Sequence, residues 1–390
     1  MTQRRDPSAG RGRARLSPAA LASRLRSASP SQAGGGPAAA QSDALELPAP
    51  RSVLAGPFVA LVTLLAAIAA TQAAGVPLRD PDNVAAKYLV LVGFGVWVMV
   101  MLDIAIRARR RAGTRWPSRA AMRAVRRERW SPYRCVAVAS ALVGFYVSYL
   151  AYRNIKSVIP LLRPGELFDR QLADFDRAMF GGSDPAALLH SLLGTGVQTH
   201  VLSAIYVFFI VLLPLSLALA LVFSPNLPGG LFYATALSIN WPLGAATYLM
   251  LPALGPVYAT PAQFAHLPAS TVTELQGILL DQRLEFLRDP AVAGTAQAIA
   301  AFASLHVSMI FTAAVAAHLL GLHRRLRIGL WMLLAVSAMA TVYLGWHYVV
   351  DDVAGVVIAL AALALARILT GVDLRTAREG WRRPAHESSY

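Results

Sequence analysis

The chain has 390 residues, of which 56% are hydrophobic, and its mean hydropathy is +0.50. This composition excludes an ordinary soluble domain, because apolar windows of about 20 residues, long enough to cross a bilayer as a helix, recur along the chain. The formal net charge of +15 comes almost entirely from arginines beside the ends of these windows. Such a placement is typical of membrane proteins and not of nucleic-acid-binding domains. We therefore predict an all-α, polytopic membrane helical bundle that binds no nucleic acid.

Residues 1–50 are rich in Ala, Ser, Gly, Pro and Arg and show no apolar periodicity. We expect a disordered basic tail here, on the cytoplasmic side. A cleaved signal peptide is not expected, because no apolar core lies near the amino terminus. The predicted membrane spans follow this tail. There are about eight, at roughly 52–74, 86–106, 134–152, 199–223, 229–252, 296–320, 328–346 and 350–369.

The loops set the predicted orientation. Residues 107–134 contain eleven arginines and a single acid, and the turn at 323–327 and the tail at 371–390 are also basic. With eight spans, all three segments lie on the same side as the amino terminus, and the positive-inside rule makes that side cytoplasmic. Both termini are therefore expected in the cytoplasm. Asp103 precedes Arg107 by four residues, which predicts a structural ion pair.

Two long loops, at about 153–198 and 253–295, fall on the opposite side. In the first loop, apolar and charged residues alternate over 167–180 with helical spacing, which predicts a helix lying in the outer interface. Long loops of this kind usually carry function. Three carboxylates of this helix are predicted to form a solvated face and not a metal site: Asp169, Asp174 and Asp176.

The candidate functional residues lie where spans end on this outer side. They are His306, in a Ser-Leu-His-Val stretch, and His347 and Asp351, in a Gly-Trp-His-Tyr-Val-Val-Asp stretch. Polar groups at membrane depth are costly and usually functional. Counted at about 1.5 Å per helical residue from the basic ends, these side chains lie about 24–30 Å from the cytoplasmic side, and Lys156 about 33 Å. A common depth is what a shared site requires.

This set of residues suits phosphoryl transfer through a covalent phosphohistidine. A neutral imidazole is a competent nucleophile, and the i, i+4 spacing of His347 and Asp351 puts a carboxylate beside the ring, where it fixes the tautomer. His306 is placed to protonate the leaving oxygen and then to activate the acceptor, a role that contributes about 10²–10⁴ in rate. Cations and helix-start amides would hold the phosphate oxygens. The candidates for phosphate binding are Ser304, Lys156 and Arg163.

The stretches around His306 and His347 resemble the second and third motifs of the type 2 phosphatidic acid phosphatase superfamily, and most closely those of its inositol phosphorylceramide synthase-like branch. The resemblance implies a six-helix catalytic core, also found in vanadium haloperoxidases. In that core His347 is the nucleophile, Asp351 its orienting partner and His306 the general acid and base, and no metal or cofactor is needed. The chain then divides into a basic tail (1–50), two extra spans with the Arg-rich loop (51–132), the catalytic membrane domain (133–370) and a second basic tail (371–390).

Two departures from the superfamily pattern concern the phosphate-binding cation. The third motif usually has an arginine six residues before its histidine, where this chain has Thr341. Lys156 and Arg163 fit the spacing of the first motif, but two spans separate them from the second motif, where the superfamily has one loop. A second source of a cation is the outer loop that carries Arg283 and Arg288.

We therefore expect an enzyme that moves a phosphoryl or phospho-head group from a lipid donor to a hydroxyl acceptor or to water at the extracytoplasmic face of the cell membrane. Its partners are the bilayer and a lipid phosphate or phospholipid substrate, and the sequence indicates no oligomeric state. The alternative is a simple phosphohydrolase of phosphatidic acid or polyprenyl phosphate, which would use the same residues. A transporter with a histidine proton relay is less favoured, because the polar groups lie at one border and no inverted repeat is visible.

Overall fold

The computed structural model describes residues 49–80, 84–293, 296–375 and 378, without the side chains of 84–89. The described residues form helices and no strand, which confirms the predicted all-α membrane bundle. Most of the two predicted basic tails, residues 1–48 and 379–390 among them, lies outside the described residues.

Thirteen α-helices follow one another along the described chain. They are α1 (Pro50–Ala73), α2 (Val84–Ala112), α3 (Arg119–Arg129), α4 (Pro132–Leu162), α5 (Asp169–Met179), α6 (Pro185–Leu193), α7 (Val197–Ala218, continued by a π-helical turn at Leu219–Phe223), α8 (Leu227–Met250), α9 (Pro256–Ala259), α10 (Thr271–Arg288), α11 (Leu305–Leu319), α12 (Arg324–Tyr343) and α13 (Val349–Thr370).

Each of the eight predicted spans contains a helix. Six helices of the described chain are long and apolar enough to cross a membrane: α1, α2 from Val90, α4, α7 with its π-helical end, α12 and α13. The other two differ in kind. Helix α11 is apolar but has only 15 residues. Helix α8 has 24 residues, and most of them are buried inside the protein.

Helix α8 lies at the centre of the bundle, against α1, α4, α11 and α13. Its Trp241 ring packs on Tyr152 of α4, with the ring centroids 5.0 Å apart. On its other side, the Asn240 side chain accepts a hydrogen bond from Ser308 of α11 and donates one to Thr312 at 3.3 Å. This aromatic and polar packing fixes α11, which carries one of the two candidate histidines, against the core.

A buried carboxylate organises the basic end of the bundle. Asp103 accepts hydrogen bonds from Arg107 at 2.8 Å, which confirms the predicted pair, and from Arg129 at 2.7 Å. Arg129 and Arg134 both donate to the Ser224 carbonyl just after α7, at 2.9 and 3.1 Å. These two arginines contribute to the positive charge from which the orientation was predicted, and they also donate hydrogen bonds to a carbonyl group at the end of a helix.

The structure corrects the start of the sixth predicted span. Residues 296–304 are not helical, and α11 begins only at Leu305. The segment runs through the protein interior, where Ala301 N–H donates to the Ala253 carbonyl at 3.0 Å and Ile299 is buried. Its apolar composition therefore reflects burial by protein and not by lipid, and hydropathy does not distinguish these two environments.

Candidate active site

His347 lies in the turn that joins α12 to α13. Helix α12 ends at Tyr343, and Gly345 adopts φ +72°, a left-handed conformation that glycine tolerates best. Tyr348 then caps α13, and its N–H donates to Asp351 Oδ2 at 2.9 Å. The same carboxylate oxygen lies 3.5 Å from His347 Nδ1. Nδ1 therefore faces a carboxylate whose position is fixed by the Tyr348 N–H group.

The helix that carries His306 begins against the first turn of α13. Ser304 caps α11, and its N–H donates to the Asp351 carbonyl at 3.0 Å. A Cβ atom added at Gly355 would lie 2.4 Å from the Ser304 carbonyl oxygen, so glycine at this position permits the close approach. The rings of His306 and His347 have centroids 6.5 Å apart as a result. The structure thus brings four of the predicted site residues together.

Aromatic stacking orients His306. Its ring stacks on Tyr206 with the centroids 4.2 Å apart, and Phe209 packs on it at 4.1 Å. Tyr206 also stacks on Trp346, the residue before His347, at 5.3 Å. The Nε2 atom of His306 is buried without a hydrogen-bond partner among the described residues. Such atoms are rare and call for an explanation.

Thr341, which stands where the resemblance places an arginine, is fully buried. Its hydroxyl donates to Asp352 Oδ2 at 3.0 Å, and its carbonyl accepts from Trp346 N–H at 2.9 Å. Thr341 therefore shapes the turn that leads to His347 and brings no positive charge to the site.

The two predicted cations are placed differently. Lys156, on α4, is half-buried, with its ammonium group 5.4 Å from the centroid of the Tyr152 ring, and it lies close enough for its charge to act on His306. Arg163, at the end of the same helix, pairs with Glu166 and donates to a carbonyl of α8 at 3.0 Å. Lys156 is thus brought towards the histidines, whereas Arg163 holds a loop to the bundle.

A further cation comes from α10. Arg283 Nη1 donates to Gln297 Oε1 at 3.2 Å and lies within reach of the Tyr248 hydroxyl. Gln297 is buried, and its amide donates to the Lys156 carbonyl at 2.7 Å. Arg288, five residues further along α10, is exposed. Gln297 therefore connects Lys156, Arg283 and the segment that leads into α11.

The acidic face of α5 is buried, so the prediction of a solvated face is wrong for two of its three carboxylates. Asp176 is 3% exposed and accepts hydrogen bonds from the N–H groups of Val349 and Val350, at 2.6 and 3.0 Å. These are the first two residues of α13. Burial raises the pKa of the Asp176 carboxyl, and the two amide donors oppose that shift. Asp174 lies on the exposed side and pairs with Arg177.

Asp169 binds the loop after α8 to the same turn. It accepts hydrogen bonds from the N–H groups of Leu254 and Gly255, at 3.0 and 2.8 Å, and from the Tyr348 hydroxyl at 3.1 Å. Asp169 and Asp176 are seven residues apart, which is two helical turns, so they share one face of α5. The seven-residue spacing in the sequence is therefore the pattern that indicates that both carboxylates face the same side of the helix.

A family model described as the PAP2 superfamily matches residues 170–365, half of the chain. The match contains His306, His347, Asp351 and Arg283, and it excludes Lys156 and Arg163. No curated protein and no solved structure matches the chain.

Asp176→Ala should lower the unfolding temperature in detergent. It leaves two N–H groups at the start of α13 without their acceptor, and an unsatisfied buried donor costs about 1–3 kcal/mol. Asp176→Asn, which keeps one acceptor oxygen, should lie between this variant and the wild type. Asp174→Ala, on the exposed side of the same helix, is the matched control and should change little. Equal losses for Asp174→Ala and Asp176→Ala in a thermal unfolding assay would contradict the capping role.

Proposed function

Because the chain belongs to the PAP2 superfamily, we propose that it is a membrane-embedded lipid phosphotransferase or phosphatase that uses His347 as a covalent nucleophile. Membership of the superfamily supports a phosphatase-type activity on membrane lipids. The observation that carries the finer proposal is the contact of the two motifs. It sets His306 and His347 6.5 Å apart, with Asp351 beside Nδ1 of His347.

In the first step, His347 attacks phosphorus through Nε2. Asp351 keeps the ring proton on Nδ1 and stabilises the positive charge that the ring acquires. The N–P bond forms as the P–O bond to the lipid breaks, and His306 gives its proton to the leaving oxygen. In such a reaction the phosphorus lies about 3–3.5 Å from the attacking nitrogen, and the leaving oxygen lies about 2.6–3.2 Å from the acid. A phosphate group placed between the two histidine rings, whose centroids are 6.5 Å apart, can meet both distances approximately.

In the second step, His306 takes a proton from the acceptor hydroxyl, the hydroxyl oxygen attacks phosphorus, and the N–P bond to His347 breaks. Water as the acceptor gives hydrolysis, and a lipid or polyol hydroxyl gives transfer. We favour transfer, because the motifs resemble most closely those of the inositol phosphorylceramide synthase-like branch. Hydrolysis of phosphatidic acid or polyprenyl phosphate is the alternative, and it is the reaction nearest to the general phosphatase character of the superfamily.

We assign Lys156 and Arg283 to the phosphate oxygens. The Lys156 charge acts on His306, and Gln297, which leads into α11, donates to the Lys156 carbonyl and accepts a hydrogen bond from Arg283. The N–H groups at the start of α13 are taken by Asp176 and Asp351, which leaves the start of α11, capped by Ser304, as the helix end that can face a phosphate. Arg163 is engaged by Glu166 and is not part of this assignment.

His347→Ala should abolish turnover of lipid phosphates by the purified protein, whereas Asp351→Asn should leave a small residual rate, because it impairs orientation and not bond formation. The assay uses phosphatidic acid, a polyprenyl phosphate and phospholipids, each with and without hydroxyl acceptors. His200→Ala, an exposed histidine at the start of α7, is the control and should keep the wild-type rate. A rate above about a tenth of wild type for His347→Ala is incompatible with loss of a nucleophile.

Arg283→Gln should lower kcat about 10²–10³-fold, the usual effect of removing one preorganised donor that stabilises charge in the transition state. Arg288→Gln removes the same charge from the exposed end of α10 and should have little effect. Steady-state rates of the two variants on the best substrate of the panel provide the comparison. If Arg283→Gln is as active as Arg288→Gln, Lys156 and helix-end amides bind the phosphate without Arg283.

We propose that the site faces the extracytoplasmic side, because the basic segments at 107–134 and 323–327 mark the cytoplasmic end of the helices. Cysteines introduced separately at the exposed positions Ala262 and Ala112, in a Cys135→Ala background, report the orientation on intact cells. A membrane-impermeant thiol reagent should label position 262 and spare position 112. The reverse pattern would put the site in the cytoplasm and change the lipids that it can meet.

A further inference from the structure

A groove of about 620 Å³ lies at the basic end of the bundle, where α11 ends and α12 begins. Its polar part is formed by His318, Arg324 and Arg327, and its apolar part by Ile328, Trp331, Met332 and Ala335. The four apolar side chains are exposed, Met332 by as much as 64%. The groove is separated from the candidate active site by the length of α12, which is about 30 Å for its 20 residues.

The polar part of the groove is ordered by its own contacts. Arg327 Nη1 lies 3.3 Å from His318 Nδ1, which fixes the direction of the guanidinium group. The Nε atom of Arg327 is buried without a hydrogen-bond acceptor among the described residues. Trp331 packs edge-on against Phe311, at 5.5 Å, and lies 6.1 Å from His318. The groove therefore presents an oriented guanidinium group beside a fixed indole ring.

The arrangement of charge and apolar surface matches one class of molecule. The positively charged groups lie at the end of the helices, and the apolar residues continue from position 328 to position 335 along one face of α12, for about 11 Å. An anionic headgroup with an attached acyl chain has the same order of parts. Arginine binds phosphate through paired N–H groups, and two arginines carry more charge than a single phosphodiester neutralises. A headgroup that bears its own cation is therefore disfavoured.

We propose that this groove binds one anionic phospholipid. The headgroup phosphate lies between Arg324 and Arg327, and an acyl chain lies along Ile328, Trp331 and Met332. The bound lipid is a structural or regulatory ligand and not the substrate, because the groove and the two histidines lie at opposite ends of α12.

Quenching of Trp331 fluorescence by lipids with brominated acyl chains tests the proposal. Purified protein is titrated with brominated phosphatidylglycerol or with brominated phosphatidylcholine of the same chain, and the signal of Trp331→Phe is subtracted to isolate this residue. We expect saturable quenching by phosphatidylglycerol at concentrations several-fold lower than those needed for phosphatidylcholine. Equal quenching by the two lipids would overturn the proposal, since it would show contact with bulk lipid only.

Charge variants separate the groove from the general basic surface. Arg324→Gln and Arg327→Gln should each weaken the phosphatidylglycerol effect roughly fivefold, as expected for one basic residue near an anionic lipid. Arg325→Gln removes the same charge from an exposed neighbour that does not line the groove, and it should have no effect. Ala335→Phe keeps all charges and fills the apolar part, so it should also weaken quenching. An equal loss for Arg325→Gln, or displacement of the lipid by millimolar inorganic phosphate, would contradict a phospholipid site.

Discussion

The contact between the start of α11 and the first turn of α13 is the constraint on which the candidate site depends. One backbone hydrogen bond, from Ser304 N–H to the Asp351 carbonyl, joins the two helices, and Gly355 leaves room for the approach. Because His306 and His347 flank this bond, their separation is set by backbone geometry and not by flexible side chains. A site built in this way holds its groups in fixed positions, as the proposed phosphoryl transfer requires.

Carboxylates from α5 extend this constraint to the outer segments. Asp176 closes the start of α13, and Asp169 ties the loop at Leu254 and Gly255 to Tyr348. Buried amide groups without acceptors are costly, so each bond restricts where the turn around His347 can lie. The same bonds occupy the amides of α13. In the proposed mechanism, the negative charge of a phosphate is therefore met by α11, Lys156 and Arg283.

Local patterns in the sequence predicted much of the fold and indicated which candidate side chains lie together. Apolar length placed a helix in every predicted span, and the offsets around His306 and His347 identified groups that do come together. Long-range packing was not predictable in the same way. Tyr206, Phe209 and Gln297 act through contacts with segments far away in the chain, and no spacing along the sequence records such contacts. Hydropathy also assigned residues 296–304 to a membrane helix, because burial by protein and burial by lipid favour the same residues.

Covalent trapping tests most directly whether His347 carries the phosphoryl group. The purified protein is mixed with a lipid substrate labelled at phosphorus and quenched in alkaline detergent within one turnover, since a phosphoramidate of histidine survives base and hydrolyses in acid. We predict acid-labile label on the wild-type chain, in the peptide that contains His347, and none on the His347→Ala variant. Label that persists in His347→Ala, or a pre-steady-state burst without any protein-bound label, would contradict a phosphohistidine at this position.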